Sequence, residues 1–556
     1  MAMQHAKCKM QNGNGGTTEQ RVRCLPMPFG SGHLAFLPYR LRFFFAFCIL
    51  HFALVSALLT VAGCSQRAVS SESGFLVVAQ RTSPNSLDPR LASDEATARI
   101  GQLVFSALLS IGDDLRPRPQ LAERLDNPDP LHYIAHLRHG VKFHDGHELS
   151  SRDVTYTYAM FLDPAYVSPY KGAFTALRSV RAIDDYTVEF ELNAPFGAFP
   201  MQLVPIPIVP AGRSDEMKTH PIGTGPYKFV RYAVDDQLVL AAFDGYFEGA
   251  PANRGLILRV IPDDTMRGLE LRKKTVDVTV NDMSPDIVHG LEERGDVIVE
   301  RAPGLDFSYI GVNMQDAVLK DRRVRYAIGY AINREAIIKY LRRDLARPAF
   351  GLVPPSGGAF EPDVFTFSYE PARAMALLDE AGYRDPDGPA GPLPRLALTL
   401  KIGTSEETRL QGTAIQQDLA KIGIALDVRS YETATLFADL VRGDFQLSNP
   451  QWVGGAVLDP DILRRVFHSS QVPPAGFNRG RYSNPEVDRL LDVAAAAVSE
   501  ADRKKYYSAV QKLVAEDAPY IPIWNRVNYI MAQPTLRGLH LNPISDFIAL
   551  KDVKKG

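Results

Sequence analysis

Residues 396–428 read LALTLKIGTSEETRLQGTAIQQDLAKIGIALDV, and this stretch decides the fold class. Leu396 to Ile402 predicts a strand, Glu406 to Lys421 a helix stopped by Gly423, and Ile424 to Val428 a second strand. Two strands joined through a helix of that length form a βαβ unit, whose crossover lets them run parallel. The same order recurs upstream. Leu256 to Ile261 and Val276 to Val278 read as strands on either side of a helix at 264–273, capped by Asp263 or Asp264. That order places a second parallel pair, and units of this kind define an α/β architecture.

The flanking segments extend the pattern. Phe75 to Ala79 is a short apolar run ended by polar residues and Pro84, the mark of a buried strand. Residues 94–110 carry Ala96, Ile100, Leu103, Val104, Ala107 and Leu108 at three- and four-residue spacing, one buried helical stripe. Tyr133 to Arg138 roughly alternates ahead of Gly140 and Val141-Lys142-Phe143, predicting a strand, a turn and a second short strand. A helix is expected from Ser151, or from Arg152-Asp153, to Leu162, and a half-buried strand over Val188 to Leu192. Pro221 to Tyr227 is a rigid turn cluster before a hairpin of Tyr227 to Val230 and Leu238 to Ala241.

Further on, Asp321 and Asn333 cap successive helices, the first bearing Val324, Ala327, Ile328 and Ala331, the second Ile337, Ile338 and Leu341. Pro371 and Gly382 frame a helix at 371–381. Asn484-Pro485 and Asp502 start helices reaching about Val498 and Glu516, and Ile521 to Trp524 closes the domain. No fixed-period repeat is present.

At 556 residues the chain is far beyond one small core, and two or three domains are expected. A formal net charge of -2 carries none of the basic excess that a nucleic-acid partner requires. All four cysteines (Cys8, Cys24, Cys48, Cys64) lie at the N-terminal end, so the remainder uses neither disulfides nor thiolate ligands. There, Arg40 and Arg42 precede an apolar run from Phe43 to Cys64, broken by His51 and two hydroxyl residues. A positive flank before an apolar segment orients an export signal. The other reading is a permanent span, since about 20 apolar residues cross a bilayer. Some 39 residues precede the flank at Arg40, which is long for a signal, so Met27 as the start and a genuine extension both stay open. Residues 1–63 are set aside from the fold, and 64–73 read as a tether.

Enzyme chemistry finds little support. There is no Gly-x-Ser-x-Gly elbow, no His-Glu-x-x-His helix and no phosphate-cradling Gly-x-x-x-x-Gly-Lys-Ser/Thr. Histidines at 132, 136, 139, 144 and 147 invite a metal reading, but His132 and His136 stand too far apart along a strand for one ion. No metal site, cofactor or catalytic residue is expected.

Taken in order, several segments resemble the large extracytoplasmic solute-binding proteins of peptide- and nickel-type ABC transporters, family 5. They are Ser86-Leu87-Asp88-Pro89; Tyr133 to Gly146 with the helix at Ser151-Arg152-Asp153-Val154; Gly223-Thr224-Gly225-Pro226-Tyr227; Asp321 to Ile328 with Ala331 to Arg334; Pro371 to Tyr383; Leu419 to Ile424; Trp452 with Asp459-Pro460-Asp461; and Tyr482 to Asp488. Val61-Ala62-Gly63-Cys64 resembles a lipobox, which implies a lipid on Cys64. The resemblance implies an α/β, two-lobed periplasmic binding protein-like (type II) fold with an additional domain inserted in the first half. Domain I would comprise 74–115, 223–310 and about 521–556; domain II 116–222; domain III, the second lobe, 311–520. It also implies a monomer in the cell envelope, lipid-anchored and facing the periplasm or the extracellular side. This monomer would take up a small solute, foremost a di- or oligopeptide, between its lobes and deliver it to a permease and ATPase complex. The alternatives are the same role for a sugar or metal chelate, or a lipid-anchored adhesion or signalling protein.

Six residues are expected at the ligand. Trp452 either covers it with a rigid ring or lies buried in the core. Peptide-binding relatives resemble one another in an acidic amine clamp just after the matching tryptophan, where this chain has Val453, Gly454, Gly455 and Ala456. Either Asp459 or Asp461 serves instead, or the clamp is missing, and a buried ammonium without a carboxylate is costly. Tyr309 and Asn313 sit on a strand that either meets the ligand backbone or packs internally. Gly223, Thr224, Gly225 and Tyr227 form either a hinge or a tight structural turn.

Overall fold

The computed structural model describes residues 74–556 except Ser93, Pro389, Ala390, 454–458 and Val498. Its first strand, Leu76–Gln80, is apolar up to Gln80 and almost wholly buried, and such a run belongs at the centre of a parallel sheet. It takes parallel partners on both sides: Gly255–Val260, with Leu76 opposite Leu256, and Val278–Val280, with Val78 opposite Val278. The two strands expected to pair with each other therefore flank a third. The helix Asp264–Arg272, capped by Asp263, joins them across it. The hairpin of Tyr227–Ala233 and Gln237–Ala242 extends this side of the sheet.

In the second lobe, Leu396–Ile402 lies between Ile424–Ser430 and Leu447–Ser448, parallel to both, as the opening stretch predicts. Helix Glu406–Ala420, capped by Ser405, makes the crossover. Two long antiparallel strands connect the lobes: Ile298–Val312 and Tyr520–Ala532. Ile521 to Trp524 thus does not close a domain but begins a 13-residue strand whose far end pairs with Val278–Val280 of the first lobe. One mixed sheet of twelve strands among the described residues runs through both lobes.

A separate four-stranded antiparallel sheet, in the order Ala122–Asp129, His132–Leu137, Thr187–Leu192, Leu177–Asp184, occupies the inserted region. Tyr133, Ala135 and Leu137 alternate inward with Val188, Phe190 and Leu192, against Tyr158 and Phe161 of the helix Ser151–Leu162. Ser150 and Asp153 cap that helix reciprocally. The expected hairpin with Val141-Lys142-Phe143 does not form, because 132–137 finds longer partners on both edges. Residues 141–149 satisfy their backbone locally instead, through Phe143 N–H to His147 C=O and Leu149 N–H to Val141 C=O.

Two helix boundaries also differ. The helix expected over 94–110 ends at Val104, where Phe105 turns extended and the chain leaves to bond residues 120–122. The last long helix is Glu500–Asp517, capped by Ser499 rather than started at Asp502, because the Ser499 hydroxyl accepts the Asp502 N–H.

Candidate functional site

In a parallel sheet the turns at the carboxyl ends of the strands gather along one edge, and ligands bind in the crevice beside them. Here those turns are Gln80-Arg81-Thr82, the start of helix Asp264–Arg272, and Asn281 to Pro285 on the first lobe. On the second lobe they are Ser405-Glu406-Glu407. Together with Glu95 and Arg99 of the helix Glu95–Val104, and Arg342, Arg526 and Tyr529, they enclose a cavity of about 360 Å³ shared by both lobes.

Each wall is held from behind. Asn281 adopts φ 57° at the strand end, and its side chain accepts the Tyr529 N–H (2.9 Å) and donates to the Ser545 hydroxyl (2.9 Å). The Tyr529 hydroxyl donates to the Met283 carbonyl (2.6 Å) and accepts its N–H (2.7 Å), and burial raises that phenol to about 12. Arg342 follows a π-turn at Ile337–Leu341, a distortion that frequently marks functional sites.

Charge in the cleft is layered. Arg342 is only 5% exposed, lies over the Trp524 ring at 4.4 Å and pairs with Glu407. Its burial, reinforced by the like charge of Arg526, pushes its pKa well down. Arg526 faces Asp306 at 3.1 Å, and Arg99 pairs with Asp282 at 3.2 Å and Glu95 at 2.5 Å. Gln80 is 1% exposed, and neither atom of its amide has a partner among the described residues.

None of the described residues singled out from sequence as site candidates lines this cavity. Trp452 is buried edge-on to Phe477 at 5.5 Å, on a two-residue strand opposite Phe307. Tyr309 is stacked between Tyr520 (3.9 Å) and Phe307 (5.1 Å) in the same core. Asn313 donates to the carbonyls of Gly443 (3.1 Å) and Phe445 (2.9 Å), holding the strand against a loop. Asp459 pairs with Arg503 at 2.8 Å and accepts the Asp461 N–H. Asp461 accepts from the Tyr507 hydroxyl at 3.2 Å, and its burial beside Asp459 raises its pKa. Gly455 and Cys64 lie outside the described residues.

The turn at 223–227 sits where the first lobe meets the inserted region. His144 grips it: its Nδ1 accepts the Gly223 N–H (3.3 Å), and its Nε2–H donates to the Gly225 carbonyl (3.0 Å). Burial holds this imidazole down to about 4, which keeps it neutral for that double role. A Cβ on Gly223 would fall 2.1 Å from the Val104 carbonyl oxygen, so no side chain fits there. Thr224 is fully buried, and the Tyr227 hydroxyl donates to Asn253 at 3.0 Å.

With two lobes, an inserted domain and a shared cavity established, likeness to known proteins becomes informative. Residues 116–473 match the bacterial extracellular solute-binding proteins, family 5 (middle). The chain belongs to this family. Di/tripeptide-binding protein 4 of Pseudomonas aeruginosa (strain UCBPP-PA14) is 30% identical, over 88% of this chain and 96% of that protein. Di/tripeptide-binding protein 2 of the same organism is 27% identical, over 90% of this chain and 99% of its own. Among solved structures, the oligopeptide-binding protein AppA from Bacillus subtilis, in complex with a nonapeptide, superposes with a TM-score of 0.72 at 27% identity. That match covers 87% of this chain and 99% of AppA. The chain is accordingly an extracytoplasmic solute-binding protein.

The residues that sequence reasoning missed are Gln80, Arg99, Asp282, Arg342 and Arg526. A faint signal existed for one of them. Arg526 is the one charge between Ile521 and Met531, a run mostly apolar apart from Asn525 and Asn528, where a charge needs a reason.

Proposed function

We propose that this chain captures a short peptide between its lobes and delivers it to the permease and ATPase complex of an ABC transporter. The observation that carries the reading is the 360 Å³ cavity walled by both lobes at the carboxyl ends of their parallel strands. Its Gln80 amide matches the donor and acceptor of a peptide bond. The related proteins that take di- and tripeptides or a nonapeptide make peptide the first cargo to test.

A ligand touching both lobes favours the closed arrangement by its differential affinity, and one held by a single lobe shifts nothing. Closing removes water, so the hydrogen bonds and ion pairs inside become selective. The transporter would then read the closed form as loaded. In this reading residues 74–115, 223–310 and 521–556 move as one body, 116–222 ride on it, and 311–520 form the other. A lipid on Cys64 would keep the protein beside its transporter. Radioactive fatty-acid labelling that is equal in the native chain and in Cys64→Ala would remove that anchor.

The capture reading is tested by stripping the protein of cargo and following its melting temperature against di- and tripeptide mixtures. Stabilisation should grow with the logarithm of concentration above the dissociation constant. Flat curves across the set, with no peptide in the mass spectrum of cargo released from natively purified protein, would defeat it.

A further inference from the structure

We propose that the hairpin of Leu109–Ile111 and Pro117–Pro119 is a latch, whose tip plugs into the second lobe when the molecule is shut and withdraws before it opens. This rests on the two-lobe reading above and not on which cargo is taken. Leu115, at the tip, is 5% exposed and belongs to an apolar cluster whose other buried members, among the described residues, all lie between Leu305 and Val514. Beside it, Arg116 pairs at 2.7 Å with Glu500, the first residue of the helix Glu500–Asp517. The inserted region adds a third bridge. The Gly197 N–H donates to the Ala495 carbonyl at 3.2 Å, in the last turn of the helix Pro485–Ala496. A Cβ on Gly197 would fall 2.2 Å from the Ala497 carbonyl oxygen. None of these residues lines the 360 Å³ cavity, so the bridges join the lobes apart from the cleft.

The tip is tied in on itself. Gly112 N–H donates to the Arg116 carbonyl and Leu115 N–H to the Gly112 carbonyl, each at 2.9 Å. The Asp114 carboxylate accepts from the Arg116 N–H at 3.2 Å and from the Arg118 guanidinium at 2.6 Å. These bonds hold Leu115 at φ 59°, a left-handed backbone that disfavours leucine. Such a conformation persists where the surroundings over-determine it, and burial of the leucine side chain in the second lobe offsets its cost. The Arg116–Glu500 pair is well exposed and adds little by itself, so the apolar plug and the Gly197 contact carry the latch. Bridges made only with the lobes together stabilise the closed form before cargo arrives. Weakening them shifts the population toward the open form and lowers the apparent affinity for cargo.

Two substitutions attack the latch by different means. Leu115→Asn removes the apolar plug while suiting the left-handed backbone. Gly197→Ala adds a methyl whose neighbours, Ala497 and Arg503, both belong to the second lobe, so it obstructs the bridge alone. Each is made in the full chain with Cys8, Cys24, Cys48 and Cys64 replaced by serine, so that Arg116→Cys and Glu500→Cys supply the only thiols. A short bismaleimide joining those thiols reports the closed form in cargo-free protein. Both substitutions should slow the cross-link by at least about threefold and enlarge the radius of gyration seen by small-angle scattering, with urea unfolding still cooperative. Cross-linked protein without them should stay compact and release a di- and tripeptide mixture at least about tenfold more slowly than before cross-linking. Unchanged cross-linking and radius in both substitutions would overturn the latch and leave static packing. Release from the cross-linked protein at the native rate would overturn it too. If no peptide binds, peptide capture fails, while cross-linking and scattering still decide the latch. Should Leu115→Asn not fold, Gly197→Ala decides.

Discussion

Arg343 Nε donates to Asp286 Oδ1 at 2.7 Å, an ion pair that ties the second lobe to the first lobe's helix Pro285–Glu293 beside the cleft. Both side chains are well exposed, so the pair is worth at most about 1 kcal/mol. Its place matters more than its strength, because it spans the two bodies that must part for release. Asp286→Asn is expected to raise the peptide release rate roughly two- to fivefold with little change in melting temperature. Stopped-flow displacement checks this, and the difference should shrink as salt is added.

His144 predicts a pH dependence of stability. Its folded pKa is lowered to about 4 by burial, against 6.5 for the free side chain. Above pH 6.5 both states are neutral and the group contributes nothing to the pH dependence. As pH falls from 6.5 toward 4, the unfolded chain takes up a proton that the folded chain refuses, so stability drops by up to about 3 kcal/mol and then levels off. Urea unfolding of the native protein and of His144→Gln at pH 7 and pH 4.5 measures it. The variant should be less stable at pH 7 yet lose less on acidification.

Gly225 is pressed against backbone: a Cβ added there would fall 2.5 Å from the Val104 carbonyl carbon and 2.7 Å from the Leu103 oxygen. Gly225→Ala should cost at least about 2 kcal/mol, because a main-chain neighbour cannot step aside. Gly290, inside the helix Pro285–Glu293, meets nothing within 4 Å. Gly290→Ala should therefore stabilise by about 0.5–1 kcal/mol. Thermal melts of the two variants should move in opposite directions.

The elements were more legible than their partners. Asp263, Asp321, Asn333 and Asn484 cap helices where the sequence places them, because capping is a local matter, readable from a few neighbouring residues. Pairing is not local. Nothing between residues 256 and 280 reveals that Leu76–Gln80 will slip between the two strands, and nothing around Val141 reveals that His132–Leu137 has better partners at 122 and 187. The cleft was less legible still. Gln80, Arg99, Arg342 and Arg526 are spread along the whole chain and meet only when the lobes face each other. The aromatic and acidic residues around 452–461 were prominent in sequence, but their described side chains are engaged with the second lobe's own core.

Trp452 exemplifies that point. It is 7% exposed among Phe307, Tyr309 and Phe467 of one apolar cluster. Trp452→Ala should lower stability by about 3–5 kcal/mol. Chemical denaturation measures the loss, and titration of the fraction that remains folded separates any effect on affinity.

The most direct test is whether cargo makes the molecule more compact. Small-angle scattering on cargo-free protein, before and after saturation with a peptide that raises its melting temperature, should show a smaller radius of gyration in the loaded sample. The same radius in both would contradict capture by closure of two lobes.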